Sequence, residues 1–384
     1  MLLSGAIIGV WTSAMMEYFR GLGFGDYQIS LGASTFPIAA IVSSMVAGQI
    51  ADRRMASERL MAICSWGASG LLFAAWKRTD FPSLWGLLLA SALLASPVIP
   101  LGTAMSFRHL EDAPRNFPLV RVWATIGWVA GANLLSLWQI VTKRGLGDAM
   151  VLASALAAVN AVYSLTLPHT PPMRDRVGRS ATGKALAMLR DPGFALFTAL
   201  LFLLSLFSAA YYRGIAIFIR DAGVAERWLS TVLSTGQGFE IVMVFALPLL
   251  YVRFGAKATI ALGMAAWTAR FAIFMLGQPL WFMIVGLALH GICFACGRIA
   301  ATIYVDRVCE KDARASAQSL LAVTVDGAGM LLGSLMAGAV SRHYATGATW
   351  DWRSIWLVPA VGCGVVLVAF VAGFRTKEPA SKPA

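Results

Sequence analysis

Apolar residues gather in about twelve stretches of roughly twenty along this 384-residue chain, and short polar loops separate them. A segment crossing hydrocarbon has no water to satisfy its backbone groups, and a helix of about 20 apolar residues satisfies them internally. The pattern therefore predicts an all-α membrane protein with twelve transmembrane helices, near residues 1–19, 28–51, 59–76, 82–105, 118–141, 148–167, 193–219, 228–252, 257–277, 279–304, 315–341 and 353–374. The longest polar connection, from Leu167 to Asp191, divides these spans six and six. The expected organisation is a six-helix half over 1–167, a central cytoplasmic loop over 168–192, a second six-helix half over 193–374 and a cytoplasmic tail over 375–384.

Composition agrees, since 58% of residues are hydrophobic and only 13% charged, which no soluble domain of this length carries. The first stretch lacks a basic leader and runs straight into the next loop, so it is expected to stay as a helix rather than be cleaved. The five cysteines, Cys64, Cys293, Cys296, Cys309 and Cys363, lie in or beside spans and form no ladder of extracellular pairs. Cys293 and Cys296 have redox or zinc spacing, but they fall mid-span without a second pair, and small side chains at i, i+3 suit helix packing. No disulfide framework, metal or cofactor is expected.

A net charge of +12 invites a nucleic-acid partner until its location is read. The even-numbered loops and the tail hold eighteen Lys and Arg, five of them in the central loop, against nine in the odd-numbered loops. That asymmetry is a topology signal that puts both termini in the cytoplasm of a multi-pass cell-membrane protein, and it implies no nucleic acid.

The halves echo one another. The second loop carries Gly48, Asp52, Arg53 and Arg54, and the eighth carries Arg253, Gly255 and Lys257, so Arg53 and Arg253 lie 200 residues apart. Glu111, Asp112 and Arg115 in the fourth loop are matched by Glu310, Asp312 and Arg314 in the tenth. Two echoes in one register suggest duplication. This plan, with the Gly48-x-x-x-Asp52-Arg53 loop, resembles the major facilitator superfamily. The resemblance implies a gating motif at Gly48, Asp52 and Arg53, where a helix-end carboxylate can pair with arginines and release them as the halves rock.

Several segments narrow the resemblance. They are Ala56–Glu58, Phe107–Leu110, the run Phe117-Pro-Leu-Val-Arg121-Val-Trp-Ala-Thr125-Ile-Gly-Trp128, Leu167–Pro172, Gly236–Glu240, Arg270–Phe274, His290–Phe294 and Ile303–Asp306. Across nearly its whole length the chain resembles the nucleoside:proton symporter family. The resemblance implies uptake of a nucleoside with a proton, through a cavity lined by Arg121, Thr125, Trp128, Gln237 and Glu240. Two departures accompany it: a tenth-helix aspartate of the family aligns with Ala295, and seventh-helix amides fall within Ala209–Tyr212.

Independently of family, an ionisable side chain deep in a span costs about 2.5–3.5 kcal/mol and marks a pathway or a partner. Glu240 lies mid-span with Gln237 one turn earlier on the same face, and a desolvated carboxylate there can take and release a proton. Glu240 is the candidate for proton coupling; its plain alternative is a structural acid held by an arginine. Arg121 lies one turn inside the fifth span and is placed either to snorkel or to bind solute, with Thr125 and Trp128 continuing its stripe. Arg213, Arg270 and Arg298 lie deep in the second half, where the deep acids are Glu240 and Asp326. Pairing of Arg298 with Asp326 or of Arg270 with Glu240 is expected, with Arg270 and Asp326 read as structural and Arg213 as facing solute. His290 is read as a packing residue with proton relay as its alternative, and Glu17 as reaching the outer interface. Gly5 with Gly9 and Gly329 with Gly333 permit close helix crossings.

No His-Glu-x-x-His, Gly-x-Ser-x-Gly or complete nucleotide-binding Gly-x-x-x-x-Gly-Lys-Ser/Thr run occurs, so the chain is not read as an enzyme or an ATP-driven pump. The expected function is secondary active transport of a nucleoside with protons by alternating access, by a monomer in the lipid bilayer. The alternatives are an organic or sugar acid bound through Arg213 and Arg298, or a non-transporting sensor on the same fold.

Overall fold

The computed structural model describes residues 1–43, 55–111, 113–172, 187–309, 314–347 and 349–376, excluding the side chains of 113–118, 315 and 316. The gating motif Gly48, Asp52 and Arg53 lies outside the described residues. Among those described, nine helices are long and apolar enough to cross a membrane. The 51-residue Glu226–Leu276 is two helices joined at Gly255, whose φ of 74° and ψ of 172° no helix holds. Among the described residues, helical stretches over 26–43, with a turn at Ser34, and over Ser57–Ala75 occupy the second and third places. In chain order the spans are the first, Leu2–Gly21; the second, 26–43; the third, Ser57–Ala75; and the fourth, Phe81–His109. The fifth is Leu119–Thr142, the sixth Leu146–Ser164 and the seventh Pro192–Asp221. The eighth and ninth are the two parts of Glu226–Leu276, followed by the tenth, Leu280–Val308, the eleventh, Ala317–His343, and the twelfth, Trp352–Gly373. A two-residue antiparallel ladder, Ala345–Thr346 with Thr349–Trp350, interrupts the helical pattern between the last two.

Aspartates start three spans. Asp80 accepts from the backbone N–H of Ser83 at 3.0 Å, Asp191 from Phe194 at 2.9 Å and Asp351 from Ser354 at 3.3 Å. Each satisfies a donor that the first helical turn leaves open, and proline follows within two residues of Asp80 and Asp191. Bonds from the side chain and backbone of Ser83 hold the Asp80 carboxyl below its usual range, and Ser354 does the same to Asp351.

The chain divides into two compact units, Met1–Val177 with Ala216–Ser234, and Gly178–Ile215 with Thr235–Ala384. In the first, the first and fifth spans cross at backbone contact. A Cβ on Gly5, Gly9, Gly127 or Gly131 would come within 3.0 Å of a carbonyl oxygen, that of Ala124, Trp128, Leu2 and Ala6 respectively. Gly5 and Gly9 were legible as a crossing; their counterparts on the fifth span were not.

The first span is broken rather than continuous. Leu2–Thr12 ends where the Ser13 hydroxyl donates to the carbonyl of Gly9 at 2.8 Å, and the helix resumes at Met15. Such back-bonding bends helices, and here Ser13 also meets the Ser230 hydroxyl at 2.8 Å. Beyond the break, Glu17 is buried instead of reaching an interface. It accepts from Arg20 at 2.7 Å and from Arg220 Nε at 3.4 Å, and Arg20 also binds Asp221. Two arginines and a second acid make burial affordable for a carboxylate that sequence position alone leaves at a helix end.

Three of the distinctive sequence segments meet at the other end of this unit. Glu58 accepts from His169 Nδ1 at 2.7 Å and from the N–H of Thr170 at 3.1 Å. The Ser57 N–H donates to the Thr170 carbonyl at 3.1 Å, His109 Nε2 lies 2.9 Å from the Thr170 hydroxyl, and Arg108 donates to the Pro171 carbonyl at 2.8 Å.

In the second unit, glycines again set helix approach. A Cβ on Gly333 would come within 3.0 Å of the Leu206 carbonyl and one on Gly291 within 3.0 Å of the Glu240 backbone nitrogen. The tenth span therefore lies against the eighth at the level of Glu240.

Candidate functional site

On the fifth span, Arg121, Thr125 and Trp128 follow at helical spacing, with Thr125 buried and the other two half-buried. The glycines at 127 and 131 turn the adjoining face onto the first span, which fixes the rotation of this stripe about its own axis.

In the second unit, the candidate chemistry collects around the tenth span. Glu240, 7% exposed, has its Oε2 3.7 Å from His290 Nε2. On the far side of the imidazole, Arg270 NH1 lies 3.1 Å from Nδ1. Arg270 is wholly buried and its guanidinium rests 3.5 Å from the ring centre of Tyr211, with Trp267 at 5.1 Å and Phe274 at 5.6 Å. Aromatic faces of this kind stabilise a cation that has left water. Of the two pairings expected for these charges, Arg270 with Glu240 is thus indirect, with His290 inserted between them. Gln237 lies one turn before Glu240, half-buried.

Arg298 and Asp326 pair directly and in bidentate fashion. Arg298 Nε donates to Asp326 Oδ1 at 2.9 Å, its NH2 binds Oδ2, and its NH1 donates to Thr302 at 2.9 Å. Each partner lies in a π-helical turn, Cys293–Ile299 for the arginine and Ala322–Gly329 for the aspartate. Such turns are rare and recur at functional sites. The side chains are 27% and 43% exposed, so the pair faces open space; charges at that depth require water there rather than lipid. His290, Phe294, Arg298 and Thr302 follow four residues apart on this face, and Phe294 stacks on the imidazole at 6.2 Å. Ala295, at the departure noted above, is fully buried.

Arg213 corrects an expectation. It is 1% exposed, with Met336, Ser341, Ile355 and Pro359 around it, so it does not face open space. Successive residues on a helix are turned by about 100°, and here Tyr212 takes the exposed side while Arg213 turns toward the eleventh and twelfth spans. A cavity, about 660 Å³ including its mouth, lies inside the first unit, lined by Trp11, Phe36 and Leu88 with the hydroxyls of Ser4, Thr35 and Ser65. It is apolar and none of the candidate residues lines it.

The placement of His290 between Arg270 and Glu240 was not legible in sequence, because a lone histidine says nothing about its neighbours. The Tyr211 platform and the two π-helical turns carry no sequence signal of comparable strength. The five cysteines are all buried free thiols.

Comparison with known proteins places these features. The chain is 29% identical to the putative nucleoside transporter YegT of Escherichia coli, over 97% of this chain and 91% of that one. It is 27% identical to the xanthosine permease of the same organism, over 98% and 94%. The crystal structure of nucleoside transporter NupG superposes with a TM-score of 0.86 at 24% identity, covering 97% of each chain, and a bacterial homologue of the lysosomal transporter Spinster with 0.72 at 15%. These matches establish the fold as that of multi-pass membrane transporters. The Nucleoside H+ symporter family model matches residues 1–379, and the chain belongs to that family.

Proposed function

We propose that this transporter takes up a nucleoside together with a proton by alternating access, with Glu240 as the coupling carboxylate. The observation that carries the reading is Glu240 itself, a buried acid inside an apolar span with its Oε2 3.7 Å from His290 Nε2. Coupling requires a carboxyl group that can take and release a proton within the protein, and an acid placed in an apolar span is positioned for that. Gln237 and the Arg121, Thr125 and Trp128 stripe supply amide, guanidinium, hydroxyl and indole groups of the kinds that bind a nucleobase and a ribose. The relatives named above for nucleosides and xanthosine support the same substrate class.

The anionic-solute reading loses its two supports, since Arg298 is already neutralised by Asp326 and Arg213 turns inward. The remaining assignments belong to the same proposal: six-helix halves over 1–167 and 193–374, both termini cytoplasmic, and a monomer as the working form. The basic even-numbered loops support the orientation.

The test is accumulation of radiolabelled uridine and adenosine in proteoliposomes, with and without an inward proton gradient. Glu240→Gln is expected to abolish accumulation above equilibrium while sparing exchange. Full accumulation by that variant removes Glu240 from the coupling role, and absence of nucleoside uptake by the wild type removes the substrate class.

A further inference from the structure

Two nitrogens of His290 face two different groups, and the chemistry of those groups decides the imidazole's state. Arginine carries only donors, so NH1 of Arg270, 3.1 Å from Nδ1, requires a lone pair there. The proton of a neutral ring must then sit on Nε2, the nitrogen directed at Glu240 Oε2 at 3.7 Å. We propose that Arg270 locks His290 as the neutral Nε2–H tautomer, a fixed N–H dipole that faces Glu240 across 3.7 Å and not a carrier of the transported proton. This rests on the reading of Glu240 as the coupling group.

Neither neighbour can move aside readily. The Arg270 guanidinium is held over Tyr211 and flanked by Trp267 and Phe274. The imidazole is stacked between Tyr211 at 5.7 Å and Phe294 at 6.2 Å, with Tyr212 and Trp267 edge-on. The close approach at Gly236 and Gly291 sets the distance from the tenth span to the eighth. The titratable or charged groups facing the ring are Arg270 from the ninth span, Glu240 from the eighth, Tyr211 and Tyr212 from the seventh, and Cys293 on its own span. A second proton on the ring would set N–H against N–H and cation against cation at Arg270. A histidine in water titrates near pH 6.5, inside the working range of a proton-driven transporter. Here Nδ1 has no place for a second proton while Arg270 donates to it, so the pH response of transport comes from the carboxylate.

A glutamine reproduces this arrangement without titrating, because its carbonyl can accept from Arg270 while its amide N–H faces Glu240. In proteoliposomes, His290→Gln is expected to keep gradient-driven uridine accumulation within about twofold of wild type with the same pH profile. His290→Leu is expected to lose about tenfold. Equal loss in both variants overturns the proposal, because a proton carrier cannot be replaced by an amide. The second measurement uses the full-length wild-type protein: ¹⁵N spectra of labelled histidine, with His290→Gln identifying the signal among the four histidines. The expected result is a neutral Nε2–H imidazole from pH 8 to pH 5, and an imidazolium signal growing in near pH 6 overturns it. The spectrum does not depend on which group couples transport. Failure of the Glu240 assignment, seen as intact accumulation by Glu240→Gln, is thereby distinguished from failure of the tautomer lock.

Discussion

Gly9 lies against the carbonyl oxygen of Trp128, so the first span touches the fifth at the very residue whose indole belongs to the candidate binding stripe. The same contact recurs one turn on, where Gly131 meets the carbonyl of Ala6. Backbones that approach this closely have no room for a methyl group.

Gly9→Ala is therefore expected to destabilise by about 1–3 kcal/mol and to weaken nucleoside binding by shifting Trp128. Gly70→Ala, where a new Cβ meets nothing within 4 Å, is the control and should be neutral to slightly stabilising. Thermal unfolding and uridine affinity of the purified variants check both. An unaltered Gly9→Ala protein would mean that the crossing is looser than it looks.

Glu58 predicts a stabilising joint. It accepts from His169 and from the Thr170 N–H, so Glu58→Gln should cost about 1 kcal/mol at pH 7. His169 is largely exposed, so most of the effect is assigned to the buried bond from Thr170. Melting temperatures of the purified variant and wild type give the comparison, and equal values would mean that the joint adds nothing to stability.

Arg298 and Asp326 should behave as one unit. Removing either leaves an uncompensated charge in a span, so Arg298→Ala and Asp326→Ala are each expected to reduce uptake at least about tenfold. In a double-mutant cycle the combined variant should be no worse than either single one. Strict additivity would mean that the two side chains work separately.

Arg121→Lys keeps the charge and loses the planar fork. If the guanidinium touches solute, the apparent KM for uridine rises about tenfold with surface expression unchanged. An unchanged KM would assign Arg121 to the cytoplasmic edge of its span.

The sequence carried the order of the spans because hydrocarbon imposes a length and a polarity on every helix that crosses it. Gly5, Gly9, Gly329 and Gly333 were legible for a similar reason: small residues at i, i+4 advertise a crossing. The Arg298 to Asp326 pair was one of two arrangements that charge balance allowed. What could not be read depends on rotation and on partners. A helix break at Ser13 needs no proline when a hydroxyl turns onto the preceding carbonyl, and Glu17 is buried by arginines that include one 203 residues away. Arg213 and Tyr212 are neighbours in sequence, yet a turn of 100° sends one inward and leaves the other outside. The π-helical turns at Arg298 and Asp326 add to this, since each shifts the phase of every residue after it, and a phase inferred from a 3.6-residue period then drifts.

The burial of all five thiols has a practical side. Cys64, Cys293, Cys296, Cys309 and Cys363 are shielded, and at Cys309 burial together with Asp306 pushes the thiol up, away from its reactive thiolate form. A cysteine introduced at an exposed loop position such as Thr79 would thus be the first to meet a maleimide. Fluorophores or spin labels can then be attached one site at a time to the otherwise native chain, and the opening and closing of a working transporter followed without first stripping out its own sulfur.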